Sequence, residues 1–296
     1  MFYAHSGFGG QAPSAAQRRF VHDLDGFARL LEGARSAAGR LPDAVVGIAP
    51  HSLRAVTADE LRELAAMAGA APIHIHIAEQ VREVEDCLAW SGARPVDWLL
   101  DHMPVGPQWC LVHATHMTHA EAVRLAATGA VAGLCPITEA NLGDGLFPAP
   151  AFRAAGGAFG IGSDSNVLID MTEELRWFEY GQRLAGQARN VMATGPGRST
   201  GQDLFEAAVD GGAQALGVAG GLAVGQPADF VSLDPHHPSL AGKPAGAVLD
   251  GFVFAAGRTA IDCVWRRGER VVTGGRHRDR DRLAERYRLA LAALTR

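Results

Sequence analysis

The sequence predicts an α/β fold built on a parallel sheet. Between residues 40 and 165, short apolar runs alternate with amphipathic stretches, which is the pattern of repeated strand–helix–strand units. Each apolar run leads directly into polar or reactive residues, as strands do at the active-site edge of parallel α/β folds. The length of 296 residues allows one large domain, or a large and a small one.

The alternating region divides into candidate strands and helices. The apolar runs at 44–48, 72–77, 109–113, 130–135 and 158–162 are the predicted strands. The amphipathic segments 57–68, 80–91 and 118–128 are the predicted helices. Thr57 and Thr118 are suited to cap the first and third helices, because a threonine hydroxyl accepts hydrogen bonds from backbone amides at a helix N-terminus.

The pattern changes after residue 166. Segments 171–184 and 201–216 are predicted helices, and the stretch that contains glycine and proline between them, 193–201, is a predicted loop. Residues 219–275 are rich in glycine and strand-like, and residues 279–296 form a charged amphipathic terminal helix. We therefore predict a catalytic domain over 1–218, a small β subdomain over 219–275 and a terminal helix over 276–296.

Composition excludes several classes of protein. Hydrophobic residues make up 48% and charged residues 20%, as in ordinary globular proteins. The net charge of -5 argues against a nucleic-acid partner. The four cysteines never form a C-x-x-C pair, and no segment holds 18 uncharged apolar residues. We expect a cytoplasmic protein that acts on a small molecule and binds neither nucleic acid nor membrane.

The segment 72–79 carries the first chemical signal. On a strand, the two-residue period places His74 and His76 on one face and the isoleucines between them on the other. Two histidines on one face can form a metal pair, or one can be a ligand and the other its neighbour. Glu79 follows His76 by three residues, so a candidate ligand lies near a candidate proton shuttle.

Two further strands end in groups of the same kind. One ends in His113, and another leads into Asp164. Neutral imidazole and carboxylate are the usual ligands of a catalytic zinc ion with an open coordination position. Because the carboxyl ends of parallel strands meet at one edge, the combination predicts a hydrolytic metal site. The alternative is that these side chains satisfy backbone groups at strand ends, and His116 is equally a neighbour of a helix cap.

The segments HIAE, LVHATH and GSDS, in this order, resemble the amidohydrolase superfamily of metal-dependent (β/α)8 TIM barrels. Longer segments resemble one group of enzymes within this superfamily. They are HSGFGGQ, PHSLRAV, HIHIAEQ, TEANLGDG and EELRWFEYGQRL. They are similar to the deiminases that hydrolyse N-formimino-L-glutamate to N-formyl-L-glutamate and ammonia in histidine degradation. The tail GGLAVGQPADFVSLD resembles the β-sandwich segment of the superfamily.

The resemblance implies a role for each candidate residue. His76 and Asp164 would bind one zinc ion per subunit, or another divalent metal, and Asp164 would also accept a proton from the bound water. Glu79 would be the acid–base shuttle, and His113 would orient and polarise the hydroxide. The chemistry agrees, because an amidine carbon attacked by hydroxide needs a proton delivered to the departing nitrogen.

His51 and Arg54 resemble the substrate-binding pair of the family. A guanidinium offers a bidentate fork to a glutamate carboxylate, which suits Arg54. The alternative for Arg54 is a solvated arginine in a first helical turn. The superfamily resemblance also makes a homodimer plausible.

The resemblance further implies that the chain is truncated at its N-terminus. Residue 1 matches the end of the third barrel strand, so we expect an incomplete barrel with strands four to eight and part of the β-sandwich. Family members carry an H-x-H metal pair on the first strand, whereas His74 and His76 match the motif of the fifth strand. Asn166 stands where relatives often have histidine.

Three functions remain open on the sequence. The first is the deimination of N-formimino-L-glutamate. The second is another aminohydrolase of the superfamily that acts on a purine or a related ring amidine. The third is a non-catalytic gene fragment. Arg54 discriminates between the first two, because only a glutamate-like substrate needs a clamp for its carboxylate.

Overall fold

A parallel sheet forms the centre of the chain, which we describe from a computed structural model over residues 1–295. Its strands are β1 (Ile73–Ile77), β2 (Trp109–His113), β3 (Val131–Leu134) and β4 (Ala158–Ile161), and they lie in this order across the sheet. Each strand runs parallel to its neighbour. The α/β class is confirmed, and β2 has the bounds that the sequence predicts.

Helices connect and cover these strands. They are α1 (Leu24–Ala38), α2 (Ala58–Ala68), α3 (Val81–Ser91), α4 (Pro95–His102), α5 (His119–Ala127), α6 (Pro136–Leu142), α7 (Ala149–Ala154), α8 (Met171–Gly186) and α9 (Thr200–Leu216). Both predicted caps are confirmed: Thr57 accepts a hydrogen bond from the amide of Glu60, and Thr118 from that of Glu121. In each case the glutamate returns a bond to the amide of the threonine, which completes a capping box.

The prediction of a strand at 44–48 is wrong in its position. The chain instead pairs through isolated parallel bridges, at Ile48 with β1 and at Ser52 with the end of β1. Val45 is 47% exposed, and of the apolar run only Ile48 belongs to the paired segment. Pro50 has no amide hydrogen and cannot donate to a regular ladder. The paired segment 48–52 flanks β1 and brings the residues after it to the rim of the sheet.

Helix α9 packs closely on β4. A Cβ atom on Gly211 would lie 2.1 Å from the backbone oxygen of Phe159, and one on Gly160 would lie 3.0 Å from Gly212 Cα. Any side chain at these positions would therefore force the helix away from the sheet. The β1 isoleucines are fully buried in the same apolar core.

A second, antiparallel sheet follows α9. It contains β5 (Phe230–Leu233), β6 (Ile261–Arg266), β7 (Glu269–Thr273) and β8 (Arg276–His277) in sequential order. The strand-like prediction for 219–275 is wrong for residues 245–260, which form helical turns that include α10 (Val248–Gly251). Phe252 and Val253 are buried there. Periodicity does not separate a short buried helix from a buried strand, which explains the error.

The terminal helix α11 spans Arg280–Leu294, close to its predicted bounds, and buries none of its described residues. The (β/α)8 barrel, its incompleteness and the domain bounds 1–218, 219–275 and 276–296 stay predictions. Over residues 1–295, every helix is too short or too polar to cross a lipid bilayer.

Candidate metal centre and active site

Three predicted site residues meet at the carboxyl edge of the parallel sheet. His76 lies near the end of β1, His113 ends β2, and Asp164 follows β4. One donor atom from each of these side chains lies within 4.8 Å of the other two. The strand order therefore places together three residues that are far apart in the chain, as the sequence predicts.

The backbone turns sharply at the strand ends that carry these donors. Ala78 has a φ of 49°, His113 of 67°, Ala114 of 48° and Asp164 of 35°. Residues other than glycine seldom adopt left-handed values, and such values concentrate at functional sites. The surrounding structure must therefore hold these turns, and a buried carboxylate described below does so at Ala78.

His76 is prepared as a neutral ligand. Its Nδ1 lies 2.7 Å from the backbone oxygen of His51, which can only accept a hydrogen bond, so Nδ1 carries the proton. Nε2 is then left with a free lone pair. Burial lowers the pKa of His76 below its usual value, against the opposing effect of the His51 carbonyl. A neutral imidazole is the form that binds a metal.

His113 lies between two carboxylates. Its Nδ1 is 3.2 Å from Glu139 Oε1, and its Nε2 is 3.7 Å from Glu79 Oε1. Burial lowers the pKa of His113, but the bond to Glu139 and the charges of Glu79, Glu139 and Asp164 outweigh it, so the pKa is raised. His113 is therefore suited to holding a proton or to orienting a polar group through Nε2.

Sequence reasoning missed Glu139. It lies in α6 and is buried, and the same Oε1 atom also accepts the amide of Cys135 at 3.0 Å. The available signal was its place in the TEANLGDG segment, shortly after the fourth predicted strand, 130–135. An outer carboxylate that fixes the tautomer and orientation of an active-site histidine is a recurring feature of metal sites.

The donor set fits a divalent metal ion. The imidazole nitrogen of His76 and a carboxylate oxygen of Asp164 are ligand types of catalytic zinc, and His113 lies next to both. His76 and His113 each have the other ring nitrogen engaged by an acceptor, as metal-binding histidines do. Asp164 is exposed, so the cluster is open to solvent on that side.

The predicted substrate-binding residues lie beside this cluster. The rings of His51 and His76 have centroids 5.0 Å apart. Burial lowers the pKa of His51 to about 4, with further contributions from His76 and Arg54, so His51 is neutral at pH 7. Arg54 has a buried Nε atom without a hydrogen-bond partner among residues 1–295. The side chain of Arg54 as a whole is 30% exposed, so a carboxylate ligand can approach it from the open side.

Three residues whose roles the sequence left open have structural partners. His74 Nε2 lies 2.8 Å from the backbone oxygen of Ala215 in α9, so of the two strand histidines His76 alone belongs to the cluster of donors described above. His116 Nε2 lies 2.7 Å from the backbone oxygen of Asp144. Asn166 Oδ1 accepts a hydrogen bond from Ser163 Oγ at 2.9 Å.

Comparison with known proteins agrees with this geometry. Residues 5–271 match the model of the amidohydrolase family. The chain belongs to this family. It is 48% identical over 299 aligned residues to formimidoylglutamate deiminase of Pseudomonas aeruginosa, covering 99% of this chain and 65% of that protein. It is also 34% identical to 5-methylthioadenosine/S-adenosylhomocysteine deaminase of Halobacterium salinarum, over 69% of this chain and 47% of that protein.

Solved structures of the family have the same fold. An amidohydrolase from Brucella melitensis superimposes with a TM-score of 0.95 and 56% identity, over 100% of this chain and 65% of that one. An adenosine deaminase from Xanthomonas campestris with bound zinc superimposes with a TM-score of 0.80 and 26% identity, over 92% of this chain and 61% of that one. The chain thus spans about two thirds, or less, of each of these relatives.

Proposed function

We propose that this amidohydrolase-family chain carries a site that hydrolyses N-formimino-L-glutamate to N-formyl-L-glutamate and ammonia with the aid of zinc. The observation that carries the proposal is the partly exposed side chain of Arg54, whose charge acts on His51, the neighbour of His76 in the cluster of His76, His113 and Asp164. A neutral ring substrate would offer no carboxylate to an arginine at this position. The similarity to formimidoylglutamate deiminase supports the same substrate.

His76 and Asp164 would hold the metal. A divalent ion bound there supplies Lewis-acid chemistry and lowers the pKa of water, so that hydrolysis proceeds near neutral pH. His113 would orient the attacking water through Nε2, because Glu139 occupies its other ring nitrogen. The hydrogen bond from His76 to the His51 carbonyl keeps the ligand nitrogen of His76 deprotonated.

Glu79 would carry the proton. Its carboxylate lies 3.7 Å from His113 Nε2 and its side chain is 16% exposed, so it borders both the cluster and the open side. In the reaction, water adds to the amidine carbon, the bond between that carbon and the terminal nitrogen breaks, and the nitrogen leaves as ammonia. Glu79 would take one proton from the attacking water and deliver it to the terminal nitrogen. Asp164 would accept the second proton, which reaches the same nitrogen as the carbonyl forms and the carbon–nitrogen bond breaks.

His51 and Arg54 would bind the glutamate part of the substrate. The side chain of Arg54 is 30% exposed, so its guanidinium can reach a ligand without leaving its position. A charge-assisted pair between guanidinium and carboxylate is short and directional. His51, neutral at pH 7, would donate or accept a single hydrogen bond beside it.

A second candidate is the deamination of a purine nucleoside. The 34% identity to 5-methylthioadenosine/S-adenosylhomocysteine deaminase favours it. The same metal cluster and the same proton shuttle would serve, since ring amidines and linear amidines are both attacked at carbon. 5-Methylthioadenosine offers Arg54 no carboxylate, whereas S-adenosylhomocysteine carries one on its amino-acid part. The lower identity and the smaller share of the chain that is covered make this candidate the weaker one.

The deciding experiment is ammonia release by the purified chain after reconstitution with zinc. We expect release from N-formimino-L-glutamate, with one N-formyl-L-glutamate formed for each ammonia, and loss of the activity in a chelator. Release from 5-methylthioadenosine alone would support the second candidate. No release from either substrate by the zinc-loaded chain would contradict both functions.

A further inference from the structure

Glu83 lies beneath the turn that joins β1 to α3. Its Oε1 accepts the amide of Ala78 at 3.1 Å, and its Oε2 accepts the amide of Glu79 at 3.0 Å. The same Oε2 lies 3.8 Å from Nη2 of Arg54, and the side chain of Glu83 is 0% exposed. One buried carboxylate therefore contacts the backbone of the proton shuttle and the side chain of the substrate clamp.

This arrangement differs from ordinary helix capping. In α5, Glu121 is the third helical residue, and its carboxylate accepts the amide of the N-cap residue Thr118 at 2.7 Å. Glu83 is also the third residue of its helix, but its carboxylate reaches past the N-cap residue Gln80 to the two residues before it. Its position in the sequence is that of a capping residue, whereas its contacts are those of the active-site turn.

The turn that Glu83 holds is one that does not form readily by itself. Ala78 has a φ of 49°, a left-handed value that costs free energy for a residue with a Cβ atom. Two charge-assisted hydrogen bonds from successive amides fix this conformation. Because Glu79 directly follows Ala78, the orientation of its side chain depends on the same two bonds.

We propose that Glu83 is a positioning residue that sets Glu79 and Arg54 in a fixed relation to each other. The assignment of roles to Glu79 and Arg54 rests on the proposed function, whereas the contacts of Glu83 do not. The ion pair orients the guanidinium through Nη2, and Nε is left without a partner among the described residues. Glu83 thus fixes the positions of both Arg54, which would bind the carboxylate, and Glu79, which would transfer the proton. A substrate that contacts both residues is then held at a fixed distance from each.

Glu83→Gln tests the proposal, because it keeps the size of the side chain and removes its charge. Glu121→Gln is the matched control, since Glu121 is also fully buried and pairs with an arginine, Arg94, at 2.7 Å. With N-formimino-L-glutamate, we expect Glu83→Gln to lower kcat and raise KM, with a loss in kcat/KM of about 10- to 100-fold. The control should leave both constants unchanged.

A double-mutant cycle separates the effect of Glu83 on Arg54 from its effect on Glu79. If Glu83 acts on KM through Arg54, Glu83→Gln should raise KM far less in an Arg54→Ala background than in the wild type. Its effect on kcat, which acts through Glu79, should persist in that background. Additive effects on KM, or Glu83→Gln kinetics equal to those of the control, would overturn the proposal.

Two structural measurements test the role of Glu83 without depending on catalytic activity, and therefore without depending on the proposed function. Amide hydrogen exchange at Ala78 and Glu79 should accelerate in Glu83→Gln and not in Glu121→Gln, and crystal structures of both variants should show Glu79 and Arg54 displaced only in the former. Unmoved side chains would overturn the proposal even in a chain that does not hydrolyse N-formimino-L-glutamate. If Glu83→Gln does not fold, Glu83→Asp keeps the charge and should show the same changes to a smaller extent.

Discussion

His113 and Glu139 form a hydrogen-bonded pair in which Nδ1 of the imidazole lies 3.2 Å from Oε1 of the carboxylate. The pair joins the end of β2 to α6 and leaves Nε2 of His113 for the metal cluster. Glu139 also holds the amide of Cys135 at the end of the neighbouring strand. One buried carboxylate thus fixes both the backbone of one strand end and the side chain at another.

Glu139→Gln should weaken catalysis without unfolding the chain. A glutamine can still fill the space, but it accepts less strongly from Nδ1 of His113. Loss of an outer carboxylate of this kind typically costs about 10- to 100-fold in activity or metal affinity. Steady-state kinetics and the bound zinc content measure the two effects, with the exposed Glu206→Gln as control. If Glu139→Gln has the kinetic constants and the zinc content of the wild type, Glu139 has no role in the site.

Arg54→Ala should raise KM for N-formimino-L-glutamate. Hydrogen bonds to a charged group contribute about 1.5–3 kcal/mol, which corresponds to an increase of about 10- to 100-fold. Arg62→Ala is the control, because Arg62 is half-exposed and its ion pair with Asp59 lies on the surface of α2. An unchanged KM would show that the carboxylate binds elsewhere, and would favour the nucleoside substrate.

Glu79→Gln should lower kcat while zinc stays bound. General acid–base groups contribute typically about 10²- to 10⁴-fold to the rate. Glu85→Gln, at an exposed residue of α3, provides the control for expression and folding. The comparison uses chains with equal zinc content, so that a lower rate reports proton transfer. Equal kcat values would assign the proton shuttle to another group.

Glu174 makes the stability of the chain depend on pH. Burial raises its pKa to about 7, with Glu139, Asp170 and Asp164 adding to the effect against the amide of Ile137. The folded state therefore holds this proton more tightly than the unfolded state, whose carboxyl has its usual value near 4.5. The contribution of Glu174 to the free energy of unfolding is fully present below pH 4.5 and is lost as pH rises through 7.

Glu174→Gln should remove this loss. The difference in free energy of unfolding, variant minus wild type, should therefore be about 2 to 3 kcal/mol more positive at pH 8 than at pH 5. Urea denaturation of the metal-free chains at the two pH values measures the change, and Glu206→Gln should show none. A difference that does not vary with pH would mean that Glu174 is ionised in the folded chain throughout this range.

Periodicity and strand-end chemistry were sufficient to predict much of the site. The bounds of β2 and the grouping of His76, His113 and Asp164 follow from rules that act locally or at a sheet edge. The segment 44–48 was misplaced because an apolar run alone does not show where pairing begins. Residues 245–260 were misassigned because a short buried helix and a buried strand have similar composition.

The buried glutamates could not be predicted in the same way. Glu83 and Glu139 lie in helices, and in sequence they look like capping or surface residues. Their function depends on which neighbouring turn each side chain reaches, and that distance is set only when helix and strand pack together. Glu60 and Glu121, which make ordinary capping boxes, occupy the same sequence position in their helices as Glu83 does in α3.

The most direct test of a metal-dependent hydrolytic centre at the ends of β1, β2 and β4 is anomalous diffraction at the zinc absorption edge from crystals of the zinc-loaded chain. We expect a peak about 2.0–2.2 Å from Nε2 of His76 and from a carboxylate oxygen of Asp164. The peak should disappear in Asp164→Asn and persist in a variant of an exposed histidine, His119→Ala. A peak at any other place in the wild type, or none, would contradict the account.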